Sequence, residues 1–320
     1  MAAIEILDLE KSYLVGFWRK RPKLALRSLR LTIEEGEVFG FLGPNGAGKT
    51  TTLKLLMGLV FPTAGSARIL GLDMDDPRVK SQIGFLPEQP YFYDHLTATE
   101  LLNYYGQLSG VPAKGRAARV KQMLARVGLS DSAGMQLRKF SKGMLQRLGL
   151  AQAILHDPKL VFLDEPMSGL DPMGRREVRD MIQELRHEGK TVFFSTHILS
   201  DAEALCDRVG IIHLGELRGV GAVAELTSQK QGKVEIIFCA QAVPAGLTSL
   251  GAEARVSDDM VNAVLPEEQQ DAALEVLRRD GLKLLSLTPV RSSLEEYYIQ
   301  KLRPTEGQRE REEDRKGVGA

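Results

Sequence analysis

A parallel α/β sheet with an antiparallel β flank and a helical insertion, followed by a small α+β domain, is the architecture predicted by the 320-residue sequence. Three observations carry it: a glycine-rich loop between an apolar strand and an apolar helix, continuous apolar runs that alternate with helical segments, and a change of composition near residue 226.

The loop comes first because it fixes a ligand. Gly43-Pro44-Asn45-Gly46-Ala47-Gly48-Lys49-Thr50 matches G-x-x-x-x-G-K-[ST], and it sits between a strand at 38–42 and a helix at 51–59, the context this phosphate-binding motif requires. Gly43, Gly46 and Gly48 are expected at φ > 0, which turns successive N–H groups toward phosphate oxygens while the helix directs its positive end at the same charge. All eight residues, with Thr51 at the helix start, form the expected phosphate cradle. Lys49 reaches the β- and γ-phosphates, and the Thr50 hydroxyl is a ligand for Mg²⁺. The fold class is therefore a P-loop NTPase. Kinases, GTPases, helicases and transport ATPases all use this loop, so the rest of the chain must decide among them.

Composition narrows the classes. With 43% hydrophobic residues the chain can bury an ordinary core, and Lys+Arg and Asp+Glu are both 42. No basic excess points to nucleic acid, and no nucleic-acid partner is expected. Cys206 and Cys239 lie far apart without metal-ligand spacing, which suits a reducing cytoplasm. No apolar run approaches the roughly 20 residues that span a bilayer, and Glu5 and Asp8 stand where a signal peptide is basic. The expectation is a cytoplasmic chain whose membrane role, if any, comes through a partner.

Residues 4–9 and 29–33 alternate apolar with polar side chains and read as the antiparallel flank. Between them Tyr13 precedes a basic, aromatic stretch at 17–23. That stretch is either a solvated loop or the place where an aromatic stacks on a nucleobase, and Tyr13 is the residue chosen for stacking. Segments 63–69 and 81–86 read as strands. The helical insertion spans about 90–155: two helices lie between Thr97, which forms a capping box with Glu100, and Gly128, and another begins at Ser141. Leu160-Val161-Phe162-Leu163 is a buried strand ending in Asp164-Glu165; a helix follows at 175–187, then a strand at 191–196 ending in His197. Apolar strands with polar residues at their C-terminal ends predict a parallel sheet with its site on the carboxyl edge. The nucleotide-binding domain is placed at 1–225. A small accessory domain at 226–304 has strands at 234–238, 261–265 and 282–287, a helix at 267–279, and a last helix opened by Ser292-Ser293-Leu294-Glu295. The charged tail, 305–320, is expected to be disordered.

At the carboxyl edge, Asp164 is placed to hold the Mg²⁺ directly or through water, and Glu165 to polarise the water that attacks the γ-phosphorus. His197 is placed to hydrogen-bond the γ-phosphate or that water. In order along the chain, Phe140-Ser141-Lys142-Gly143-Met144, Leu160-Val161-Phe162-Leu163-Asp164-Glu165-Pro166, Ser168-Gly169-Leu170-Asp171 and Ser195-Thr196-His197 resemble the signature, Walker B, D-loop and H-loop of ABC ATPases. The resemblance covers about residues 1–225. The Ser-Lys-Gly-Met form of the signature and the run Gln146-Arg147-Leu148-Gly149-Leu150-Ala151-Gln152 resemble, more narrowly, the ATP-binding subunits of ABC-2-type (multidrug-type) exporters.

This resemblance implies an ABC-type nucleotide-binding domain that hydrolyses ATP to drive export through separate permease subunits, held peripherally on the inner face of the cell membrane. It also implies a dimer, with a homodimer expected, because the signature of one subunit completes the ATP site of another. The consensus Leu-Ser-Gly-Gly-Gln is kept only at Ser141 and Gly143; Ser141, as N-cap, opens a helix whose dipole faces a phosphate. At the Q-loop, Ile83-Gly84-Phe85-Leu86-Pro87 is followed by Glu88 and then Gln89. Either Glu88 takes the metal-facing role or Gln89 slips into it, and the register favours Glu88. Tyr91-Phe92-Tyr93 lies where such subunits dock a permease coupling helix, or else packs the insertion. The alternative function is a soluble ABC ATPase uncoupled from transport; such proteins commonly carry two motif sets or a long coiled coil, and the sequence has neither. A GTPase is disfavoured because the chain has no Asn-Lys-x-Asp segment.

Overall fold

The computed structural model describes residues 1–16, 20–228, 230–291 and 293–302. The expected tail, and residues 17–19 of the basic aromatic stretch, lie outside these. Two compact units result: Met1–Val223, with the chain end from Tyr298, and Ala224–Tyr297.

In the first unit the chain runs β1 (Ala2–Val15), β2 (Arg21–Glu34), β3 (Val38–Leu42), α1 (Lys49–Leu56), β4 (Ala64–Ile69), β5 (Leu72–Asp73), α2 (Pro77–Lys80) and β6 (Ile83–Leu86). The insertion helices α3 (Ala98–Leu108) and α4 (Ala113–Arg126) follow. After them come α5 (Lys142–Ile154), β7 (Leu160–Asp164), α6 (Pro172–His187), β8 (Thr191–Thr196), α7 (Leu199–Leu205), β9 (Arg208–His213) and β10 (Glu216–Ala222). The central sheet has the order β10-β9-β3-β8-β7-β6, and every neighbouring pair is parallel except β9 with β10. Each residue of β3, β7 and β8 is buried, as expected of parallel strands covered on both faces. Phe41 and Phe162 lie 5.4 and 5.8 Å from the Phe193 ring, one from each strand flanking β8. These rings pack the three neighbouring strands together.

The flank is the antiparallel sheet β2-β1-β4-β5. Its hairpin is longer than the alternation suggests: β1 and β2 have 14 residues each, and Tyr13 pairs with Lys23 inside the ladder. Of the stretch at 17–23, for which a solvated loop is one reading, residues 21–23 belong to β2, and the loop expectation is corrected for them. The ladder persists because charged and exposed residues at the hairpin's far end leave the backbone hydrogen bonding intact while erasing the apolar alternation. Helix α6 begins three residues earlier than expected, because the Asp171 side chain accepts from the Gly174 N–H at 2.8 Å and Pro172 occupies the first turn. The Thr97–Glu100 capping box is present at the head of α3.

The second unit continues with α8 (Val223–Ser228), which begins at its boundary, and then β11 (Lys230–Cys239), α9 (Ala245–Ser249), β12 (Glu253–Ser257), β13 (Met260–Pro266), α10 (Gln270–Arg279), β14 (Lys283–Arg291) and the start of α11 (Leu294–Leu302), whose residues from Tyr298 group with the first unit. From β11 to β14 this is a β-α-β-β-α-β succession whose antiparallel sheet is ordered β12-β13-β11-β14, the split βαβ arrangement. Val234, Ile236, Phe238, Val261, Ala263 and Leu265 turn to one face and pack with Ala273 and Leu277 of α10. Helix α11 is capped one residue later than expected: Ser293 Oγ accepts from the Glu296 N–H at 3.2 Å, whereas Ser292 lies outside the described residues.

Folding buries the His156 ring in the first unit. The His156 Nε2 lies 3.0 Å from the Ile83 carbonyl, its Nδ1 is buried without a hydrogen-bond partner, and burial pushes its pKa below the usual histidine value. Unfolded chains protonate this ring below about pH 6.5 while the folded protein resists it, so stability is complete above that pH and declines as the pH falls. Urea midpoints at pH 7.5 and 5.5 are expected to show the decline in wild type and a smaller one in His156→Gln, which keeps an N–H for the Ile83 carbonyl. His213, whose pKa is also lowered by burial, supplies a remainder of the same sign. Identical declines in both proteins would remove His156 as a contributor.

Candidate active site

Local sequence shapes the phosphate loop in two different ways. Gly46 and Gly48 have φ of 80° and 115°, as expected. Gly43 does not have positive φ; it is required instead by close approach, since a Cβ there would stand 2.4 Å from the Ile212 carbonyl oxygen of β9. The expectation of positive φ at all three glycines is corrected accordingly. Ala47 is buried beneath the loop, and its carbonyl accepts from the Gly215 N–H at 2.8 Å.

A cleft of about 490 Å³ opens over this loop. Pro44, Asn45, Gly46, Gly48, Lys49, Thr50 and Thr51 line its floor, and Tyr13, Glu88 and Glu165 line its walls. Glu88 is therefore in the cleft, and Gln89 is not among its lining residues. Val15, Lys23, Leu24 and Ala25 also line it, residues that sequence reasoning did not select because their role depends on how the β1–β2 hairpin folds over the loop.

The charged centre lies where β7 and β8 end. Lys49 Nζ donates to the Gly43 carbonyl at 2.6 Å and faces Glu165 Oε1 at 3.1 Å as an ion pair, with 6% and 7% of the two side chains exposed. Glu165 Oε2 lies 2.9 Å from His197 Nδ1, while Oε1 is buried with no hydrogen-bond partner. The Glu165 backbone has φ of 49°, left-handed for a residue with a side chain, and is held there by hydrogen bonds from its N–H to the Ser195 Oγ and carbonyl at 3.1 and 3.2 Å. Ser195 Oγ donates in turn to Asp164 Oδ1 at 2.6 Å. Ser195 thus holds the Asp164 carboxylate and the Glu165 backbone, and sequence reasoning missed it as a site residue. Its signal was present: a polar side chain in an otherwise apolar strand, in register with Asp164.

Ser141 and Gly143 are not in this cleft. Ser141 caps α5, accepting from the Met144 N–H at 3.2 Å, and is itself exposed. Among the aromatic run, Phe92 packs against Tyr105 with 6.3 Å between ring centroids, whereas Tyr91 is 95% exposed. Of the two readings of the run, packing against the insertion is the one that Phe92 meets.

A family model described as ABC transporter matches residues 26–168. An ABC transporter ATP-binding protein of Synechocystis sp. is 41% identical over 304 residues, covering 94% of this chain and 84% of that protein. The bacitracin transport ATP-binding protein BcrA of Bacillus licheniformis is 36% identical, covering 92% of this chain and 96% of its own. Among solved structures, the dimeric post-hydrolysis state of an ATP-binding cassette bound to ADP and Pi superposes with a TM-score of 0.63 at 25% identity, covering 69% of this chain and 98% of that one. Fold and site together define an ATP-hydrolysing cassette. The chain belongs to the ABC transporter family, as an ATP-binding subunit of the ABC-2 exporter type.

Proposed function

We propose that this subunit binds MgATP in the cleft between the phosphate loop and the β1–β2 hairpin, hydrolyses it as a dimer, and drives export through separate permease subunits. The observation that carries the chemistry is the Lys49–Glu165–His197 arrangement, with contacts of 3.1 and 2.9 Å at the rim of the loop. Each member has a role set by its neighbours. Lys49 pairs with Glu165 Oε1 until a triphosphate offers it more negative charge, and turning to the β- and γ-oxygens frees that carboxylate oxygen. Glu165 then accepts a proton from water as the water oxygen bonds to the γ-phosphorus; the bond to the β–γ bridging oxygen breaks, and ADP leaves with its electron pair. His197 holds the other carboxylate oxygen and so fixes which lone pairs meet the water. Tyr13, on the cleft wall, stacks on the base.

Hard oxygen donors suit Mg²⁺: the Thr50 hydroxyl in the cleft, the Asp164 carboxylate behind it, and Glu88 on the wall. When bound, the ion neutralises charge developing on the phosphate oxygens. Asp164, whose Oδ1 is held by Ser195, would be one of the residues to hold the ion.

Ser141 and Gly143, lying outside the cleft, complete the site from a second copy, most simply in a homodimer. Among the described residues no helix is long and apolar enough to cross a membrane, which fits a subunit that reaches the inner face of the membrane through a permease. Tyr91 offers the exposed ring for that docking. Tyr91→Ala is expected to leave ATPase activity unchanged and to reduce co-purification with the membrane-spanning partner from solubilised membranes by about tenfold, as loss of a well-packed aromatic anchor does. Full retention of the partner would refute docking at Tyr91, and an active chain that never co-purifies with a membrane protein would favour the uncoupled ATPase. The residues 226–304 are proposed as an accessory domain of the same subunit.

A further inference from the structure

The Tyr13 ring carries a cation on one side. Lys11 Nζ stands 5.1 Å from the ring centroid and donates to the Phe61 carbonyl at 2.6 Å. The tether is reinforced on either side: the Ser12 N–H donates to Thr63 Oγ1 at 3.0 Å, and the Thr63 N–H to the Glu10 carbonyl at 2.8 Å. These contacts join β1 to the segment that leaves α1, the helix that starts at the phosphate loop. Tyr13 lines the nucleotide cleft, whereas Lys11 is not among its lining residues.

We propose that Lys11 is a positioning residue for the nucleobase. Its ammonium is attracted to the negative face of the Tyr13 ring, and its anchor on Phe61 ties that ring to the trailing end of α1. The distance between the base platform and the phosphate cradle is thereby fixed before a nucleotide arrives, and the opposite ring face is presented to the base. A ring already oriented loses less conformational entropy when the base stacks on it, which raises affinity without a direct contact. The inference rests on the reading that Tyr13 stacks on the base.

The test uses the purified full-length chain and compares equilibrium binding of MgATP with that of inorganic tripolyphosphate, which fills the cradle but has no base. Lys11→Met and Lys11→Gln are expected to weaken MgATP by about two- to fivefold, the range of an exposed cation–π contact, and to leave tripolyphosphate unchanged. Gln retains a donor for the Phe61 carbonyl without the charge, and Lys11→Arg, which retains the charge, is expected to bind MgATP like wild type. In a Tyr13→Ala background, Lys11→Met is expected to have no further effect. Equal weakening of both ligands, or wild-type MgATP affinity in both uncharged variants, would overturn the role of Lys11. If Tyr13→Ala itself leaves the ratio of the two affinities unchanged, the stacking reading falls and the inference falls with it. A Tyr13→Ala that changes the ratio while the Lys11 variants do not overturns the inference alone.

Discussion

Glu165→Gln is expected to lower steady-state ATP turnover by a factor of about 10² to 10⁴, the contribution of a positioned general base, while retaining ATP binding. The amide nearly preserves shape, and its carbonyl can still face Lys49, but it does not take a proton from water. The loss should therefore appear in kcat, with little change in the affinity for nucleotide. Because the γ-phosphate is then not removed, the dimer that it holds together accumulates. Size-exclusion chromatography with MgATP is expected to show dimer for Glu165→Gln and mostly monomer for wild type after turnover. Wild-type turnover in the variant would exclude Glu165 as the base; a variant that is inactive yet monomeric with ATP would retain the base and exclude γ-phosphate as the link between copies. His197→Ala is a useful companion, since it frees Oε2 but leaves the Glu165 carboxylate and its Lys49 partner in place.

Glu165 and the phosphate loop were legible in the sequence for a specific physical reason. Strands β3, β7 and β8 are buried on both faces, so each has an apolar centre (Val38–Leu42, Leu160–Leu163 and Val192–Phe194), and the polar residues that end them stand out. The same reasoning fails for β9 and β10, which went unread: Gly210 interrupts β9, which ends at the Leu214-Gly215 turn, and β10 is half-exposed throughout with an irregular register against β9. Gly43 shows a subtler limit. The motif demands glycine there, but the reason is the nearness of Ile212, a residue of β9 distant in sequence and brought to the loop only by sheet order. Lys23, Leu24 and Ala25 were invisible as cleft residues because strand alternation says which face a side chain takes and nothing about what that face will cover.

Asp201→Ala is expected to be among the most destabilising single changes in the first unit, at about 3 kcal/mol. Asp201 lies in the first turn of α7, one turn beyond His197, and is only 1% exposed. Two cations from α6 reach it: Arg175 Nη2 at 2.7 Å and Arg179 Nη2 at 3.3 Å, one to each carboxylate oxygen. Removing the carboxylate leaves two guanidinium groups facing a cavity without a counter-charge. Deleting one partner of a buried ion pair costs about 3–5 kcal/mol, and the lower end applies because the arginine side chains remain 30% and 35% exposed and can turn partly to water. For a unit of this size the corresponding fall in melting temperature is roughly 6–12 °C. Replacing Asp201 and Arg175 together, for example with Leu and Met, removes a charge of each sign and should recover a good part of the loss, since an apolar pair of similar volume is often as stable as the ion pair it replaces. A melting temperature for Asp201→Ala within 2 °C of wild type would show that the triad is electrostatically idle, a magnitude set by the roughly 2–4 °C that each kcal/mol produces. The triad also joins α6, which follows the D-loop, to the helix that follows His197, so the same variant loosens the packing behind the residue that orients Glu165. Its ATPase activity, measured well below the melting transition, is accordingly expected to fall with it, and the double replacement to restore stability further than turnover.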